Sequence, residues 1–313
     1  MKVMITGAAG YVGSQLVAQL AESDNCEVHA LDIRGLERLP ETVTRQRLDV
    51  RDRARVFEAM SSCRPDVVVH LAAIVTPGPE SSRELEYQVD VEGTRHVLDA
   101  CIESGVRRLV VASSGAAYGY HPDHPSFIRE SQATRGNEEF AYSWHKHLVE
   151  RMLAKARSAH PELQQVVLRV GTVLGENTQN QLSAMFLRPF LLSVKGGDDR
   201  FVFIWDQDLI RCLCHAVHSQ KAGVFNVCGD GALSTREMAR LSERRFVSVS
   251  GHLLGFGLRL AGLLRLTQLK PEQVRFLKYR PVLSNDALKN DFGFTPEKTT
   301  KETFLFFHEA NRD

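Results

Sequence analysis

The most restrictive feature of this sequence is a glycine-rich segment near the amino terminus, between an apolar run and a helix-like run. Residues 6–13 read TGAAGYVG; the apolar run Lys2–Thr6 precedes them and a helical pattern near Tyr11–Ser23 follows. Glycines at a strand-to-helix junction allow a tight turn, a close approach of the backbone to a pyrophosphate and close packing of helix on strand. The free amides and the dipole of the helix start then favour an anion. The segment therefore predicts a dinucleotide site, with cofactor contacts at Gly7, Gly10, Tyr11, Val12 and Gly13.

The second predicted strand, Glu27–Leu31, is followed directly by an acidic residue, Asp32. A carboxylate about 20 residues after the glycine segment is placed to accept hydrogen bonds from a ribose diol. It would repel a 2′-phosphate, so the sequence favours NAD over NADP as the cofactor. Arg34 lies two residues later, and its positive charge partly offsets this preference. After the third strand, Asp49 is a candidate acceptor for the adenine amino group, whereas Asp52 is predicted to cap the next helix.

Short apolar runs alternate with helix-like segments through the first half of the chain. This alternation is typical of βαβ units, and several strands are apolar on both faces, as in a sheet covered by helices on each side. We expect an α/β fold with a Rossmann-type, doubly wound parallel sheet over residues 1–175 and a smaller C-terminal substrate-binding lobe, interleaved with the sheet, over 176–313. The other predicted strands are Thr44–Leu48, Asp66–Leu71, Arg108–Ser113, Gln165–Val170, Arg200–Trp205 and Gly223–Cys228. The other predicted helices lie near Arg53–Ser61, Arg83–Ser104, Asn137–Ala159, 183–193 and Asp206–Ser219.

Composition excludes several classes of protein. The 313 residues include 39 Lys and Arg against 38 Asp and Glu, which gives a formal net charge of +1 and no general basic surface for nucleic acid. The six cysteines are scattered along a long chain, which indicates reduced thiols rather than a disulfide framework. The first residues lack the apolar core and cleavage site of a signal peptide. A cytoplasmic location is therefore expected.

Two segments point to other kinds of site, and both have simpler interpretations. The apolar stretch 252–269 is interrupted by two arginines and is too short to span a bilayer. It is predicted to be an amphipathic core or substrate-covering helix, with an interfacial membrane anchor as the alternative. In the run Cys212–His218 only Cys214 and His218 share a helix face. No metal site is expected there.

A second chemical signal is a tyrosine four residues before a lysine in a helix-like segment. A helix places Tyr142 and Lys146 on one face, one turn apart. The ordinary pKa of tyrosine, about 10, is too high for efficient proton transfer at neutral pH, and a neighbouring ammonium or a cationic nicotinamide ring lowers it. Such a pair is common by chance. Its significance comes from its order in the chain, after the glycine segment and after Ser113 and Ser114, which end an apolar strand.

Together these residues resemble the extended short-chain dehydrogenase/reductase family, in its NAD-dependent epimerase/dehydratase group. The motifs that carry the resemblance are TGAAGYVG at 6–13, HLAA at 70–73, DVEGTRHVLDAC at 90–101, VVASSGAAYG at 110–119 and YSWHK at 142–146, with looser matches at 168–175 and 223–229. The resemblance implies hydride transfer at a secondary carbinol. It implies Tyr142 as the acid/base, Lys146 as its pKa-lowering neighbour and ribose ligand, and Ser114 as the group that binds the substrate oxygen. Further cofactor contacts are implied at Asp32, Asp49, Val50, Leu71, Ala72 and Ala73.

Departures from the family pattern narrow the reaction. Dehydratases of the group carry an Asp-Glu pair after the active-site hydroxyl residue, where this chain has Gly115 and Ala116. Neither residue moves a proton, so dehydration is not favoured. Asp90 stands where many relatives have Asn, and because an ionised Asp only accepts hydrogen bonds, the usual water-linked proton relay is in doubt. His145 and His147 flank Lys146 but face other directions and are assigned no chemistry.

The substrate stays open at this point. The first choice is a sugar-nucleotide epimerase that works through a transient keto intermediate, with Asn177, Asn180 and Arg200 beside Ser114 as candidate substrate residues. The second is an NAD(P)-dependent dehydrogenase or reductase of a less polar secondary alcohol or ketone, which the apolar stretch 252–269 would suit. A third class, a non-catalytic dinucleotide-binding regulator, is disfavoured because the Tyr, Lys and Ser are all retained.

The resemblance also implies how the chain assembles. Members of the group pair through a four-helix bundle, and the corresponding segments here are 83–104 and 137–159. A homodimer is therefore expected. A small molecule is the expected substrate, and neither a nucleic-acid partner nor a membrane-spanning helix is expected from this sequence.

Overall fold

A parallel sheet of seven strands forms the centre of the computed structural model, which describes residues 1–23, 25–78, 80–197, 199–251 and 273–312. The strands of the described chain are Lys2–Thr6 (β1), Glu27–Asp32 (β2), Thr44–Arg47 (β3), Val67–His70 (β4), Arg108–Ser114 (β5), Gln164–Val170 (β6), Thr172–Leu174 (β7), Phe190–Val194 (β8), Phe203–Trp205 (β9), Gly223–Val227 (β10) and Arg245–Val249 (β11). The central sheet has the order β10–β6–β5–β4–β1–β2–β3, with every neighbouring pair parallel. The strand order reverses between β1 and β4, so a ligand crevice opens at the carboxyl edge there. The Rossmann-type fold expected from the sequence is confirmed.

Helices cover both faces of the sheet. They are Tyr11–Ala21 (α1), Arg53–Cys63 (α2), Arg83–Tyr87 (α3), Gly93–Glu103 (α4), Ala141–Ala159 (α5), Gln181–Phe186 (α6), Asp206–His218 (α7), Thr235–Leu241 (α8), Gln273–Lys278 (α9) and Thr300–Ala310 (α10). In β1, Val3 and Ile5 pack against apolar residues of α1 and α7. Met4, between them, packs on the opposite face with residues of α2, α4 and α5. Side chains of a strand alternate between faces, which explains why these runs are apolar throughout.

The segment predicted as one helix over 83–104 is interrupted. A π-helical turn, Gln88–Glu92, separates α3 from α4. One extra residue in such a turn makes the backbone bulge, a distortion that is frequent at functional sites. Asp90 lies in this turn. The helix predicted near Asn137–Ala159 begins at Ala141. Asn137 instead accepts a hydrogen bond from the backbone amide of Tyr120 at 2.7 Å.

The second half of the chain differs more from expectation. The helix predicted near 183–193 is wrong beyond Phe186, because Phe190–Val194 is a strand that pairs in parallel with β11. Short apolar runs fit a helix or a strand equally well. Here pairing with β11, which is distant in sequence, makes the run a strand. The main sheet takes its last strand, β10, from this half. The division into 1–175 and 176–313 stays a prediction, as does the helix at 252–269, which lies outside the described residues.

Candidate active site

The glycine turn between β1 and α1 has no room for side chains. Gly7 has a φ of +74°, and a Cβ on it would lie 2.6 Å from the backbone nitrogen of Ala72. A Cβ on Gly13 would lie 2.1 Å from the carbonyl oxygen of Gly7. No side chain caps the start of α1 at Gly10, so the first amides of the helix remain open to an anion. The turn thus has the shape that a pyrophosphate requires.

The phenol of Tyr11 joins this turn to the second half of the chain. Its hydroxyl donates to Oδ2 of Asp206, at the start of α7, at 2.5 Å. The hydroxyl of Thr178 in turn donates to the Tyr11 oxygen at 3.2 Å. Burial, together with Asp206, raises the pKa of Tyr11 to about 12. The side chain therefore stays protonated at working pH and acts as a bridge, while its backbone lies in the predicted cofactor turn.

Asp32 lies beside the glycine turn, at the end of β2. Its Oδ2 accepts from the backbone amide of Ala9 at 2.9 Å, and its Oδ1 accepts from the amide of Arg34 at 2.9 Å. The Arg34 guanidinium also contacts the carboxylate, with Nε 3.1 Å from Oδ1. Burial raises the pKa of Asp32, but the hydrogen bonds from Arg34 and Ala9 outweigh it and hold the pKa below its usual value. An ionised, buried carboxylate thus lies where the sequence predicts a ribose contact.

The other predicted cofactor residues follow the ends of β3 and β4. The Asp49 carboxylate is bound by the Arg51 guanidinium at 2.5 Å, so the adenine would compete with this ion pair. The carbonyl of Val50 is 3.0 Å from Nδ1 of His96. Asp52 caps α2 by accepting from the amide of Arg55 at 3.1 Å, as predicted. Leu71, Ala72 and Ala73 follow β4 directly and form the neighbouring wall of the glycine turn.

The predicted proton-transfer residues lie together on β5 and α5. Tyr142 is in the first turn of α5, and the Nζ of Lys146 lies 5.7 Å from its ring centroid. The same Nζ donates to the carbonyl of Ala112 in β5 at 2.8 Å, which ties the helix to the strand. Ser114 ends β5; its hydroxyl accepts from the amide of Ala116 at 3.1 Å and lowers the pKa of the Tyr142 phenol. The structure therefore brings together three groups that are up to 32 residues apart in sequence.

The electrostatics of this site favour a neutral phenol. Burial raises the pKa of Tyr142 to about 12; the Ser114 hydrogen bond lowers it and the Asp90 carboxylate raises it further. Burial lowers the pKa of Lys146, and Asp90 and Glu150 oppose that decrease. Burial thus dominates the pKa of the phenol, and the role of Lys146 as its pKa-lowering neighbour stays a prediction. Proton abstraction by Tyr142 needs a further positive charge.

Asp90 and His145 form a buried pair beside Tyr142 and Lys146. The Nδ1 of His145 lies 3.1 Å from Oδ2 of Asp90, and the two side chains are 1% and 2% exposed. The other carboxylate oxygen accepts from the amide of Ile74 at 2.8 Å. The sequence pattern assigns no chemistry to His145, and its contact with Asp90 appears only in the structure. The pairing depends on the π-helical turn, which the sequence pattern does not show.

Of the three candidate substrate residues of the second half, Asn180 and Arg200 have other partners. Asn177 is exposed. The side-chain oxygen of Asn180 accepts from the amides of Leu182 and Ser183 at 2.9 and 2.8 Å, so it caps α6. The Arg200 guanidinium donates to the carbonyl of Ser126 at 3.1 Å. Their roles in substrate binding stay predictions.

A different arginine, Arg280, has the surroundings of a ligand site. Its guanidinium carbon lies 4.0 Å from the ring centroid of Phe201 and 4.3 Å from that of Phe276. The residue is 8% exposed, and within the described part of the chain its Nη1 has no hydrogen-bond partner. Burial lowers its pKa to about 10. A buried guanidinium without a partner is unfavourable unless an anion binds it.

Aromatic rings connect Arg280 to the start of α5. The ring of Tyr120 lies 5.0 Å from that of Phe276 and 5.5 Å from that of Phe140, which directly precedes α5. Tyr120 is buried, and both Arg280 and Tyr142 act on its pKa, which burial raises to about 12. The sequence carries no local signal for this group, since its members come from three distant segments. We call Tyr120, Phe140, Phe201, Phe276 and Arg280 the aromatic–arginine cluster.

Two findings on the described residues concern metal and membrane sites. No group of three or more His, Cys, Asp or Glu side chains in the described ranges is arranged to hold a metal ion. Among the same residues, no helix has the length and apolar character needed to cross a bilayer.

Comparison with known proteins assigns the chain to a family. The family model of the NAD-dependent epimerase/dehydratase family matches residues 3–228. An uncharacterised protein of Mycobacterium tuberculosis is 28% identical over 318 residues, which cover 96% of this chain and 82% of that protein. A Streptomyces protein named 3-diazoavenalumate denitrifying reductase is 29% identical over 242 residues, which cover 74% of this chain and 76% of that protein.

Solved structures show the same architecture. UDP-glucose 4-epimerase of Thermotoga maritima, crystallised with UDP-glucose, superposes with a TM-score of 0.77 at 19% identity and covers 100% of this chain and 99% of its own. UDP-glucose 4-epimerase of Thermus thermophilus, crystallised with NAD, has a TM-score of 0.73 at 25% identity with the same coverage. The family match spans both the glycine turn and the Tyr142–Lys146 helix. The chain therefore belongs to the NAD-dependent epimerase/dehydratase family.

Proposed function

We propose that this protein is an NAD-dependent enzyme that epimerises a nucleotide-linked sugar at a secondary carbinol. The observation that carries the proposal is the grouping of Tyr142, Lys146 and Ser114 in a fold whose glycine turn accepts no side chain. Held by the glycine turn and Asp32, NAD would supply reversible hydride transfer at the carbinol carbon. The reaction then consumes no cofactor.

The residues of the chain handle the proton and orient the substrate. Ser114 holds the carbinol oxygen by a hydrogen bond, and Tyr142 removes the hydroxyl proton as the carbon is oxidised. Tyr142 gives the proton back as the ketone is reduced. Lys146, held by the Ala112 carbonyl, supplies a positive charge 5.7 Å from the centroid of the Tyr142 ring. Gly115 and Ala116 provide no acid or base for the elimination of water, so we propose that the enzyme is not a dehydratase.

A phosphate-bearing substrate fits the aromatic–arginine cluster. Nη1 of Arg280 has no hydrogen-bond partner among the described residues, and a diphosphate would supply this buried cation with an acceptor and a counter-charge. The aromatic rings beside it are suited to the apolar face of a sugar or a base. The UDP-glucose complex of the Thermotoga epimerase shows that this fold accepts such a ligand.

We propose NAD rather than NADP as the cofactor. The buried Asp32 carboxylate would meet the 2′-phosphate of NADP with a like charge, whereas a ribose diol donates hydrogen bonds to it. Arg34, whose side chain is 60% exposed, can move into solvent as the diol binds. Calorimetric titration should give a dissociation constant at least about tenfold lower for NAD, a difference of about 1.4 kcal/mol. Equal affinities would contradict this choice.

Substitution of Tyr142 tests the proposed chemistry. Tyr142→Phe removes the phenol oxygen and keeps the ring, so NAD affinity should be unchanged while turnover falls by about 10²–10⁴-fold. A panel of nucleotide sugars is incubated with the NAD-loaded protein, and the epimers are separated by chromatography. Wild-type turnover of none of them, or unchanged turnover by the variant, would contradict the proposal.

A reductase is the second candidate. The Streptomyces relative is named as a reductase, and the rings of Tyr120, Phe140 and Phe276 would suit an aromatic or otherwise less polar substrate. The discriminating measurement is stoichiometry: a reductase oxidises one NADH for each product formed, which absorbance records directly. An epimerase shows no net change in NADH.

We also propose a homodimer formed through α4 and α5. A surface groove of about 480 Å³ runs between these helices and is lined by apolar side chains such as Leu98, Ile102, Leu148 and Met152. The matching helices of a second copy would fill this groove and bury its apolar surface. Sedimentation velocity should give a dimer, and Met152→Glu should shift it to monomer. A monomeric wild type at micromolar concentration would contradict the proposal.

A further inference from the structure

The buried carboxylate of Asp90 lies between two parts of the site. One oxygen accepts from the amide of Ile74 at 2.8 Å, in the segment that follows β4 and the cofactor wall. The other lies 3.1 Å from Nδ1 of His145 in α5. A carboxylate only accepts hydrogen bonds, so Nδ1 of His145 carries the hydrogen. Asp90 therefore links the cofactor side of the crevice to the helix that carries the proton-transfer residues.

The backbone of Asp90 is tied to the sheet by a chain of hydrogen bonds. The Thr94 hydroxyl donates to the Asp90 carbonyl at 2.5 Å and lies 2.9 Å from Nε2 of His70. Because the Thr94 hydrogen is used on the carbonyl, Nε2 of His70 donates, and Nδ1 accepts from the Thr6 hydroxyl at 2.7 Å. Burial lowers the pKa of His70 to about 3, so this ring stays neutral. The position of Asp90 is thus set from β1 and β4.

Two carboxylates, Asp90 and Glu150, raise the pKa of Lys146, and they differ in the group that each is paired with. Glu150 is bound by the Arg169 guanidinium at 2.5 Å, a permanent cation. Asp90 pairs with His145, and no arginine of the described residues pairs with it. The other titratable groups that face the pair are Tyr142 and Lys146 on α5, Tyr87, whose ring edge lies 5.7 Å from His145, and His70, reached through Thr94. Asp90 is consequently the carboxylate beside Tyr142 and Lys146 whose charge is not offset by an arginine partner.

We propose that Asp90 and His145 are a positioning pair that holds a buried negative charge beside Tyr142 and Lys146 and so sets the pH at which Tyr142 accepts a proton. This inference rests on the proposed function and adds two residues to its machinery. The charge favours the ammonium of Lys146 and disfavours the phenolate of Tyr142. His145 moderates the charge by its hydrogen bond and fixes the direction of the carboxylate.

Asp90→Asn tests the role of the charge. The amide oxygen still accepts from Ile74, and the side chain keeps its size, but the charge is gone. The phenolate then forms at lower pH, so the acid limb of the turnover profile should move down by about one pH unit. Glu92→Gln is the matched control, since Glu92 lies on the same turn but pairs with Arg95 at the surface. The control should leave the profile in place.

His145→Phe tests the pairing from the other side. Phenylalanine keeps a ring against Tyr87 and removes the donor, so the carboxylate is less well compensated and the acid limb should move to higher pH. In the double variant with Asp90→Asn, the limb should lie where Asp90→Asn alone places it, because there is no charge left to moderate. Additive shifts would overturn the pairing. If His145→Phe fails to fold, Asp90→Asn alone decides the inference.

A measurement without substrate separates this inference from the proposed function. Ultraviolet absorbance of the phenolate is titrated in the NAD complex, with Tyr142→Phe as the blank, for wild type and for Asp90→Asn. A decrease in the phenolate pKa of about one unit supports the pair even if no nucleotide sugar is turned over. An unchanged phenolate titration overturns the inference even if epimerisation is observed, because a merely structural role would alter stability and leave this pKa in place.

Discussion

The proposed cofactor side and the proposed substrate side of this site are built in opposite ways. On the cofactor side, Gly7 and Gly13 lie so close to neighbouring backbone atoms that no side chain fits, and this steric exclusion sets the shape of the turn. On the substrate side, Arg280 lies between the rings of Phe201 and Phe276, and its charge has no partner within the described chain. The shape of the glycine turn is thus fixed by contacts within the protein, whereas the charge of Arg280 would be neutralised only by a bound anion.

This contrast has a thermodynamic meaning. A turn fixed by backbone contacts contributes to folding as well as to binding, so a change there lowers both. A buried, unpaired guanidinium lowers the stability of the free protein and returns that free energy when a ligand neutralises it. Substitutions on the two sides should therefore move stability in opposite directions while both weaken ligand binding.

Gly13→Ala should have the largest effect. The added Cβ would lie 2.1 Å from the Gly7 carbonyl oxygen and 3.0 Å from the Ala8 Cα, and backbone atoms cannot rotate away. We expect a loss of stability of about 1–3 kcal/mol and a decrease in NAD affinity of more than tenfold. Thermal unfolding and calorimetric titration with NAD measure the two quantities.

Gly78→Ala is the matched control for that variant. It adds the same methyl group at an exposed position where nothing lies within 4 Å of the new atom. Stability and NAD affinity should stay at their wild-type values. Equal behaviour of Gly13→Ala and Gly78→Ala would show that steric exclusion does not shape the cofactor side.

The local structure of the proposed cofactor side was predicted well from the sequence, whereas its contacts with a cofactor stay predictions. The glycine turn, the Asp52 cap and the strands of the first half are encoded by residues that are neighbours in sequence, where turn chemistry and the two-residue period of a strand apply directly. The Tyr142–Lys146 spacing is likewise a property of one helix. Asp32 required only that parallel strands end at the same edge of the sheet.

The rest depended on contacts between distant residues. His145 pairs with a side chain 55 positions away, through a π-helical turn that a regular helical period does not predict. The pattern at 183–193 did not reveal that Phe190–Val194 pairs with β11. Asn180 has the composition of a substrate ligand and also of a helix cap, and only the amides of Leu182 and Ser183 show that it is a cap. Arg280 was missed because its rings come from separate segments.

Arg280→Met should have the second-largest effect and sharpens the contrast between the two sides. Methionine keeps an apolar stem between the rings and removes the charge. We expect KM for a nucleotide sugar to rise by about ten- to a hundredfold, equivalent to about 1.4–2.7 kcal/mol of binding free energy, with kcat reduced much less. The free energy of unfolding of the ligand-free protein should rise, because an uncompensated buried charge is removed.

Arg275→Met is the control on the neighbouring turn of α9. Arg275 is 63% exposed and pairs with Glu139 at the surface, so both stability and KM should change little. A lower KM for an apolar ketone in Arg280→Met, with no loss on nucleotide sugars, would instead support the reductase. Steady-state kinetics with both substrate classes distinguishes these outcomes.

Tyr11→Phe should have the smallest effect. It removes one hydrogen bond, from the Tyr11 hydroxyl to Asp206, which joins the glycine turn to the second half of the chain. Removing the hydroxyl should lower stability by about 1 kcal/mol and weaken NAD binding by only a few-fold, since the backbone of the turn is unchanged.

Burial and Asp206 raise the pKa of Tyr11 to about 12, above its unfolded value of about 10. The hydroxyl therefore contributes fully below pH about 10, and the contribution is lost as the pH rises toward 12. Chemical denaturation of wild type and variant at pH 7 and 9 should give the same difference in stability. A difference that disappears by pH 9 would show that Tyr11 has already lost its proton there, which would contradict the raised pKa of the bridge.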